Sequence, residues 1–317
     1  MKKKKIFCTL GPSSLNKNFL SYAKGKVDLL RLNMSHLSLI KLEKNIKFIR
    51  KYSKIPICID TEGAQIRTKV TSTKFYKKNS LIEISKLKNL NFYPENITKI
   101  LKTGDVLDIG FEDLKIKIIS KSQKKLVAKT ISAGLLETNK GVHIQNRKIN
   151  LKFLTKKDEE AIKIGKKLHI NNYALSFVNT EIDIKRFNQI LKKENKIFKI
   201  ETSQSIKNLN KILATGSKFL IDRGDLSKEI GIENIPFIQR KILKLARQKK
   251  KDVFIATNFL ESMITKKFPT RAEVNDIYNA IELGASGIVL AAETAIGEYP
   301  KECIQLLKKI FKSFKKI

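Results

Sequence analysis

VDLLRLNMSHLSLIKLEKNIKFIRKYSKIPICIDT, residues 27–61, contains one full repeat of the fold. VDLLRLN reads as a buried strand. Beyond the polar MSH, an amphipathic segment runs from about Ser38 to Lys51, with Leu39, Leu42, Ile46 and Ile49 at helical spacing. IPICIDT is a second short apolar run, and it ends in acid. A strand, a helix of one apolar face and another strand is the parallel βα pattern.

The pattern extends in both directions. Upstream, IFCTL is followed by Gly-Pro-Ser-Ser and a helix-like stretch to about Lys24. Downstream it stops: from about Thr68 to His143 the chain is rich in β-branched residues and turns, as in YKKNSLIEIS and TGDVLDIG, with no strong helix. Helical periodicity returns at TKKDEEAIKIGKKL, with Thr155 as the expected N-cap and acids in the first turn. YALSFV, KIFKIE, KFLID, DVFIAT and SGIVLAA then alternate with helix-like segments, bringing the strand count to eight. The expected fold is α/β: a (β/α)8 TIM barrel over residues 1–67 and 145–317, with a small all-β cap domain inserted at 68–144, after the third strand.

Composition narrows the function classes. The chain has 317 residues, 42% hydrophobic, enough to fill a core without disulfides. Cys8, Cys58 and Cys303 are odd in number and widely spaced, which predicts reduced thiols and a cytoplasmic protein. No CxxC metal spacing, signal-peptide core or membrane-length apolar run occurs. The net charge of +35 invites a nucleic-acid partner, yet only nine of the 65 basic residues are arginine and the lysines are spread along the chain. Base and phosphate recognition favours the guanidinium fork, so no dedicated nucleic-acid or membrane partner is expected. Small anions would still be drawn by the field.

In a barrel of this kind, chemistry gathers at the carboxyl ends of the strands. The residues there are Arg31, Asn33 and Ser35 after strand two, Asp60 and Thr61 after three, and Lys199 and Glu201 at five. Strand six adds Arg223 and Asp225, seven Thr257 and eight Glu293. Glu201 and Asp225 on adjacent strands offer hard oxygens suited to Mg2+ or Mn2+. Lys199 precedes Glu201 by two, so both side chains share one strand face. An ammonium and a metal converging there could stabilise an enolate or a phosphoryl group in transfer; the alternative for the same residues is an ordinary salt bridge across the barrel mouth. Arg31 and Arg67 supply forks for phosphate.

The stretch FLIDRGDLSKEI at 219–230 passes from strand into Arg-Gly-Asp. An adhesion signal, a plain turn at a flexible Gly224, or one wall of a site are the open alternatives. A short helix starting here would turn free N–H groups toward a carboxylate.

RLNMSH at 31–36, DTEGAQIRT at 60–68, KGVHI at 140–144, KIE at 199–201, RGDL at 223–226, ATNFLESM at 256–263, PTRAE at 269–273 and AAETAIGEYP at 291–300 resemble the pyruvate kinase family in order and spacing, over nearly the whole chain. The resemblance implies phosphoryl transfer from phosphoenolpyruvate to ADP, giving pyruvate and ATP in glycolysis. It implies that Lys199 stabilises the transferring group and the enolate, that Glu201 and Asp225 bind Mg2+ or Mn2+, and that Arg31 and Arg67 hold phosphates. Asn33, Ser35, Asp60 and Thr61 match the family's K+ ligands, Thr257 the threonine near the enolate carbon, and the peptides of Gly224 and Asp225 the substrate-carboxylate site. Two other readings compete: a metal-dependent pyruvate-enolate aldolase or lyase on a related barrel, and a degenerate barrel binding RNA or another anion.

Several positions depart from the family pattern. Glu62, Gly63, Ala64 and Gln65 replace Lys-Gly-Pro-Glu, Ile109 stands for an aspartate, Asn179 for an arginine, and Ala291 and Ala292 for Ser-Gly. Asp222 stands for alanine and Ser227 for glycine. The sequence stops at Ile317, where the family continues into a C-terminal α/β domain carrying a sugar-phosphate effector site and a subunit interface. The resemblance therefore implies no effector activation of the usual kind, and any homo-oligomer would rest on the barrel.

Overall fold

The computed structural model describes residues 3–94, 96–110, 114–123, 125–145, 147, 149 and 151–314. The chain divides into two compact units, Met1–Gly63 with Lys156–Ile317, and Ala64–Thr155.

The first unit holds eight parallel strands: β1 Lys5–Thr9, β2 Leu29–Asn33, β3 Ile57–Asp60, β4 Asn172–Leu175, β5 Asn195–Ile200, β6 Lys218–Asp222, β7 Asp252–Ala256 and β8 Gly287–Leu290. Each pairs with its neighbours in chain order, and β8 closes on β1 through Lys5↔Gly287 to Cys8↔Leu290. This is the expected (β/α)8 barrel. The strands are apolar on both faces because one lines the barrel and the other lies under helices, which is why they read as short continuous runs. Phe7, Leu29, Cys58, Ala174, Ile197, Leu220, Phe254, Ala256 and Val289 form the interior cluster. Phe7 and Phe254 stack at 4.3 Å between ring centroids. Burying an aromatic of this size contributes about 2–3 kcal/mol.

The outer helices are α1 Lys17–Ala23, α2 Leu39–Tyr52, α3 Lys156–Lys167, α4 Glu181–Ile190, α5 Leu209–Thr215, α6 Ile235–Gln248, α7 Arg271–Glu282 and α8 Pro300–Phe314. Their buried residues recur at helical spacing, as with Leu42, Ile46 and Ile49 in α2. Starts are written in local chemistry. Asn16 and Ser38 accept from the backbone N–H of Phe19 and Lys41, and Thr270 forms a capping box with Glu273. Cys8, Cys58 and Cys303 are free and buried.

The second unit contains a closed seven-stranded sheet, Ile66–Val70, Leu81–Ile84, Leu90–Tyr93, Val106–Ile109, Leu114–Lys121, Leu126–Thr130 and Gly141–Ile144. Lys74–Tyr76 and Gly134–Leu136, within the same stretch of sequence, make a separate two-stranded sheet. It is not purely β: Ile97–Ile100 forms one helical turn. Its bounds also lie outside the 68–144 expected from composition. Ile149 and Leu151 pack against this unit's core, and Arg147 forks onto Asp105 at 2.6 and 2.7 Å. Ile109 is 1% exposed inside that core, so an apolar side chain there fills space that a carboxylate would not.

Among the described residues, no helix is long and apolar enough to cross a membrane.

Candidate active site

Lys199, on β5, is the hub of the strand ends. A lysine is almost never fully buried unless its charge is met. Here it is 4% exposed, and four side chains meet it. Its Nζ lies 2.7 Å from Glu201 Oε1, 3.2 Å from Ser176 Oγ, 3.4 Å from Asp60 Oδ2 and 3.5 Å from Asp222 Oδ2. Burial alone would lower the lysine's pKa, but Asp60, Glu201 and Asp222 outweigh it and raise it, so the ammonium form is secured.

Asp60, the last residue of β3, is the second junction. Arg31 on β2 reaches it through Nε at 2.6 Å and Nη2 at 2.5 Å, while Arg31 Nη1 donates to Thr9 Oγ1. Ser176, just past β4, donates to Asp60 Oδ1 at 3.2 Å and to the Thr61 carbonyl at 2.7 Å. Its own N–H is accepted by Thr61 Oγ1. Asn33 and Asp60 are register partners, and Asn33 Oδ1 accepts from the Ser35 N–H at 3.1 Å. The four residues matched to K+ thus lie at the ends of two adjacent strands and offer only oxygens. Gly63, at φ +70°, completes this corner because a Cβ there would come within 2.8 Å of Ser176. Asp158 on α3 accepts from the N–H groups of Glu62 and Gly63 and fixes the turn.

Glu201 is 0% exposed. Its Oε2 accepts from the Phe177 N–H at 2.7 Å, and Phe177 adopts φ +54°. Its Oε1 lies 2.7 Å from the Lys199 ammonium as an ion-pair partner. Burial first, then Asp222 and Asp225, push the carboxyl up to about 8 against the pull of Lys199. Oxygens of Glu201, Asp222 and Asp225 all lie within 4.8 Å of one another. Three hard oxygens at that separation fit Mg2+ or Mn2+.

Asp222 ends β6 and precedes the short helix Arg223–Ile230. Burial opposes its charge, yet Lys199, Arg31 and the Thr257 hydroxyl hold its carboxyl below the usual range. Thr257, just past β7, donates through Oγ1 to Asp222 Oδ1 at 2.5 Å. Its φ of +80° is rare for a β-branched residue and stores about 1–3 kcal/mol of strain. Arg223 grips the Thr257 carbonyl through Nε at 3.1 Å and Nη2 at 2.6 Å, pairs with Asp276, and lies 4.0 Å over the Phe259 ring. Gly224 does not turn the chain by left-handed geometry. It is a helix residue without a Cβ because one would stand 2.9 Å from Thr257 Cγ2. Asp225 Oδ1 pairs with Lys228 at 3.1 Å, and Ser227 donates to the Gly224 carbonyl.

Arg67 belongs to the second unit, where Nη1 donates to the Asn139 carbonyl at 3.4 Å. Glu293 is 2% exposed and accepts from the N–H groups of Leu260 and Ala291, so it braces the loops after β7 and β8. Asn179 accepts from Thr202 at 2.7 Å. Ser176 is the residue that the strand-end reading omits, although its place just past the fourth strand is a signal; Asp222, singled out as a departure from the family's alanine, lies at the site as a further carboxylate.

The fold and these strand ends define a class: a (β/α)8 barrel with a buried lysine ringed by carboxylates at the mouth, its sequence interrupted after β3 by a β unit. Residues 1–304 match the family model described as pyruvate kinase, barrel domain, and the chain belongs to the pyruvate kinase family. It is similar to the pyruvate kinase of Thermotoga maritima, 32% identical over 100% of this chain and 72% of that protein. That of Methanocaldococcus jannaschii is 34% identical over 98% and 69%, and that of Staphylococcus epidermidis 32% over 98% and 56%.

Proposed function

We propose that this chain is a phosphotransferase that moves the phosphoryl group of phosphoenolpyruvate to ADP, yielding pyruvate and ATP. The observation that carries the proposal is the Lys199 ammonium, buried at the carboxyl end of β5 and fixed by Glu201, Asp60 and Asp222. Phosphoryl transfer asks a protein mainly for position and charge. Lys199 supplies a cation that needs no reorientation as charge develops on the bridging oxygen and the three equatorial ones. Arg31, held in one orientation by Asp60 and Thr9, adds a planar second cation. By the family resemblance, Arg67 of the second unit would also bind phosphate.

The N–H groups of Gly224 and Asp225 would receive the substrate carboxylate. Thr257 stands by the carbon that is protonated when the enolate becomes pyruvate, its hydroxyl oriented by Asp222 and its backbone by Arg223. Glu201 and Asp225 would hold Mg2+ or Mn2+, and Asn33, Ser35, Asp60 and Thr61 would hold K+. When bound, these cations neutralise phosphate charge. A cytoplasmic setting fits three free, buried thiols.

A lactate-dehydrogenase-coupled assay with phosphoenolpyruvate, ADP and Mg2+ decides the reading. Pyruvate should form with the wild type and fall by at least about a thousandfold in Lys199→Met, given the weight of preorganised charge in such reactions. A folded wild type that makes no pyruvate overturns it. Titrating K+ in the same assay tests Asn33, Ser35, Asp60 and Thr61 together, in a chain with Gln65 in place of the family's glutamate.

A further inference from the structure

Among the described residues, helix starts in this barrel with a polar side chain turned back onto the backbone include Asn16, Ser38, Thr202 and Thr270. Asp222 is the best kind of N-cap residue, yet it makes no cap bond to the helix Arg223–Ile230 that follows it. It is 8% exposed, so water does not explain the choice. One oxygen accepts from Thr257 at 2.5 Å, and the other stands 3.5 Å from the Lys199 ammonium. The carboxylate has been turned from the helix into the site, where it joins Glu201 and Asp225 with oxygens inside 4.8 Å of one another.

The charge of the pocket supports a ligand role. Asp60, Glu201 and Asp222 are buried together, and among the described residues the buried cations are Lys199 and Arg31. Arg31 is spent on Asp60. Lys199 is then shared between Asp60, Glu201 and Asp222, and a divalent cation would add positive charge where three buried carboxyl groups compete for one ammonium.

We propose that Asp222 is a third carboxylate ligand of the divalent cation, beside Glu201 and Asp225, so that this chain captures the ion before any substrate arrives. The proposal rests on the divalent-metal reading above and deepens it. Ligand charge count sets affinity in all-oxygen sites, so a third carboxylate shifts the ion from substrate-assisted to protein-held. It also replaces one coordinated water.

The test is a Mn2+ titration of the metal-free full chain without substrate, following the free-ion signal by electron paramagnetic resonance. Asp222→Ala should weaken binding by about tenfold or more, within the range that shell substitutions cost. Asp222→Asn, which keeps the shape and one oxygen, covers the case in which the alanine variant does not fold, and should weaken binding by about threefold or more on the same charge argument. Pulsed measurement in D2O should count one more water on the bound ion in Asp222→Ala. Affinity within twofold of wild type for both variants, or weaker binding with an unchanged water count, overturns the assignment. Glu201→Gln and Asp225→Asn separate the two levels. If they weaken Mn2+ binding while the Asp222 variants do not, only Asp222 fails as a ligand; if they too leave it unchanged, the divalent site itself fails.

Discussion

Replacing Lys199 by methionine keeps the volume of the side chain and removes the charge that three buried carboxylates share. The wild-type ammonium stands 2.7 Å from Glu201, 3.4 Å from Asp60 and 3.5 Å from Asp222, all with little or no contact with water. Breaking a buried ion pair by deleting one partner costs about 3–5 kcal/mol, because the other charge stays behind unpaired. For a unit of this size each kcal/mol moves the melting midpoint by about 2–4 °C, so Lys199→Met should melt about 6–20 °C below wild type in metal-free buffer. The electrostatic origin makes a second, sharper demand. If the loss is a stranded carboxylate rather than lost packing, deleting a carboxylate as well should return stability, by about 0.5–3 kcal/mol for residues in direct contact. Lys199→Met/Asp222→Ala should therefore melt above Lys199→Met. Circular-dichroism melts at pH 7 on both variants read this directly. A single variant within 2 °C of wild type, or a double variant no more stable than the single, refutes the reasoning.

Glu273 closes the α7 capping box and also accepts from the Ser262 N–H and hydroxyl at 2.7 and 2.5 Å. Glu273→Gln should cost about 1 kcal/mol by denaturant titration, and no loss would show that the box is idle. Asp105 is forked by Arg147 and accepts from the Lys102 N–H; burial raises its pKa, but these partners prevail and hold it below the usual range. A depressed carboxyl stabilises the fold above the unfolded-state value of about 3.9 and loses that contribution as pH falls through the folded value. Asp105→Asn should thus cost about 2 kcal/mol at pH 7 and converge on wild type in acid; a constant deficit at all pH values would sink the assignment. Gly63→Ala adds a left-handed alanine and a 2.8 Å approach to Ser176, together about 2–4 kcal/mol. Turnover should fall with it because Ser176 positions Lys199, and a change below 0.5 kcal/mol on the same scale would contradict the packing.

The barrel was legible because its strands are short apolar runs separated by amphipathic helices, a periodicity each segment carries alone. Glu201, Asp60 and Thr257 were legible by place, as polar residues where buried strands end. What periodicity does not carry is pairing across the sequence. Nothing local says that Ser176 bridges Asp60 and Lys199 across intervals of 116 and 23 residues. The same holds for the edges of the second unit. Ile149 and Leu151 fall in the 145–317 expected for the barrel, yet their side chains pack on its core. Gly224 was misread for a related reason: the constraint on it is a methyl of Thr257, a neighbour in space only.

The lysine-rich chain and its acidic site look opposed until distance is considered. A formal charge of +35, spread over the molecule, acts at long range and draws anionic substrates from solution. At the mouth of the barrel that lysine excess is absent, since Asp60, Glu201 and Asp222 are buried beside Lys199 and Arg31. An incoming phosphate is therefore attracted by the protein and repelled by the carboxylates that it meets last. On the proposed site, a divalent cation held by Glu201, Asp222 and Asp225 would turn the final approach from repulsive to attractive. On that proposal the cation would arrive first, and the substrate anion would bind weakly to the metal-free protein however strongly the lysines draw it near.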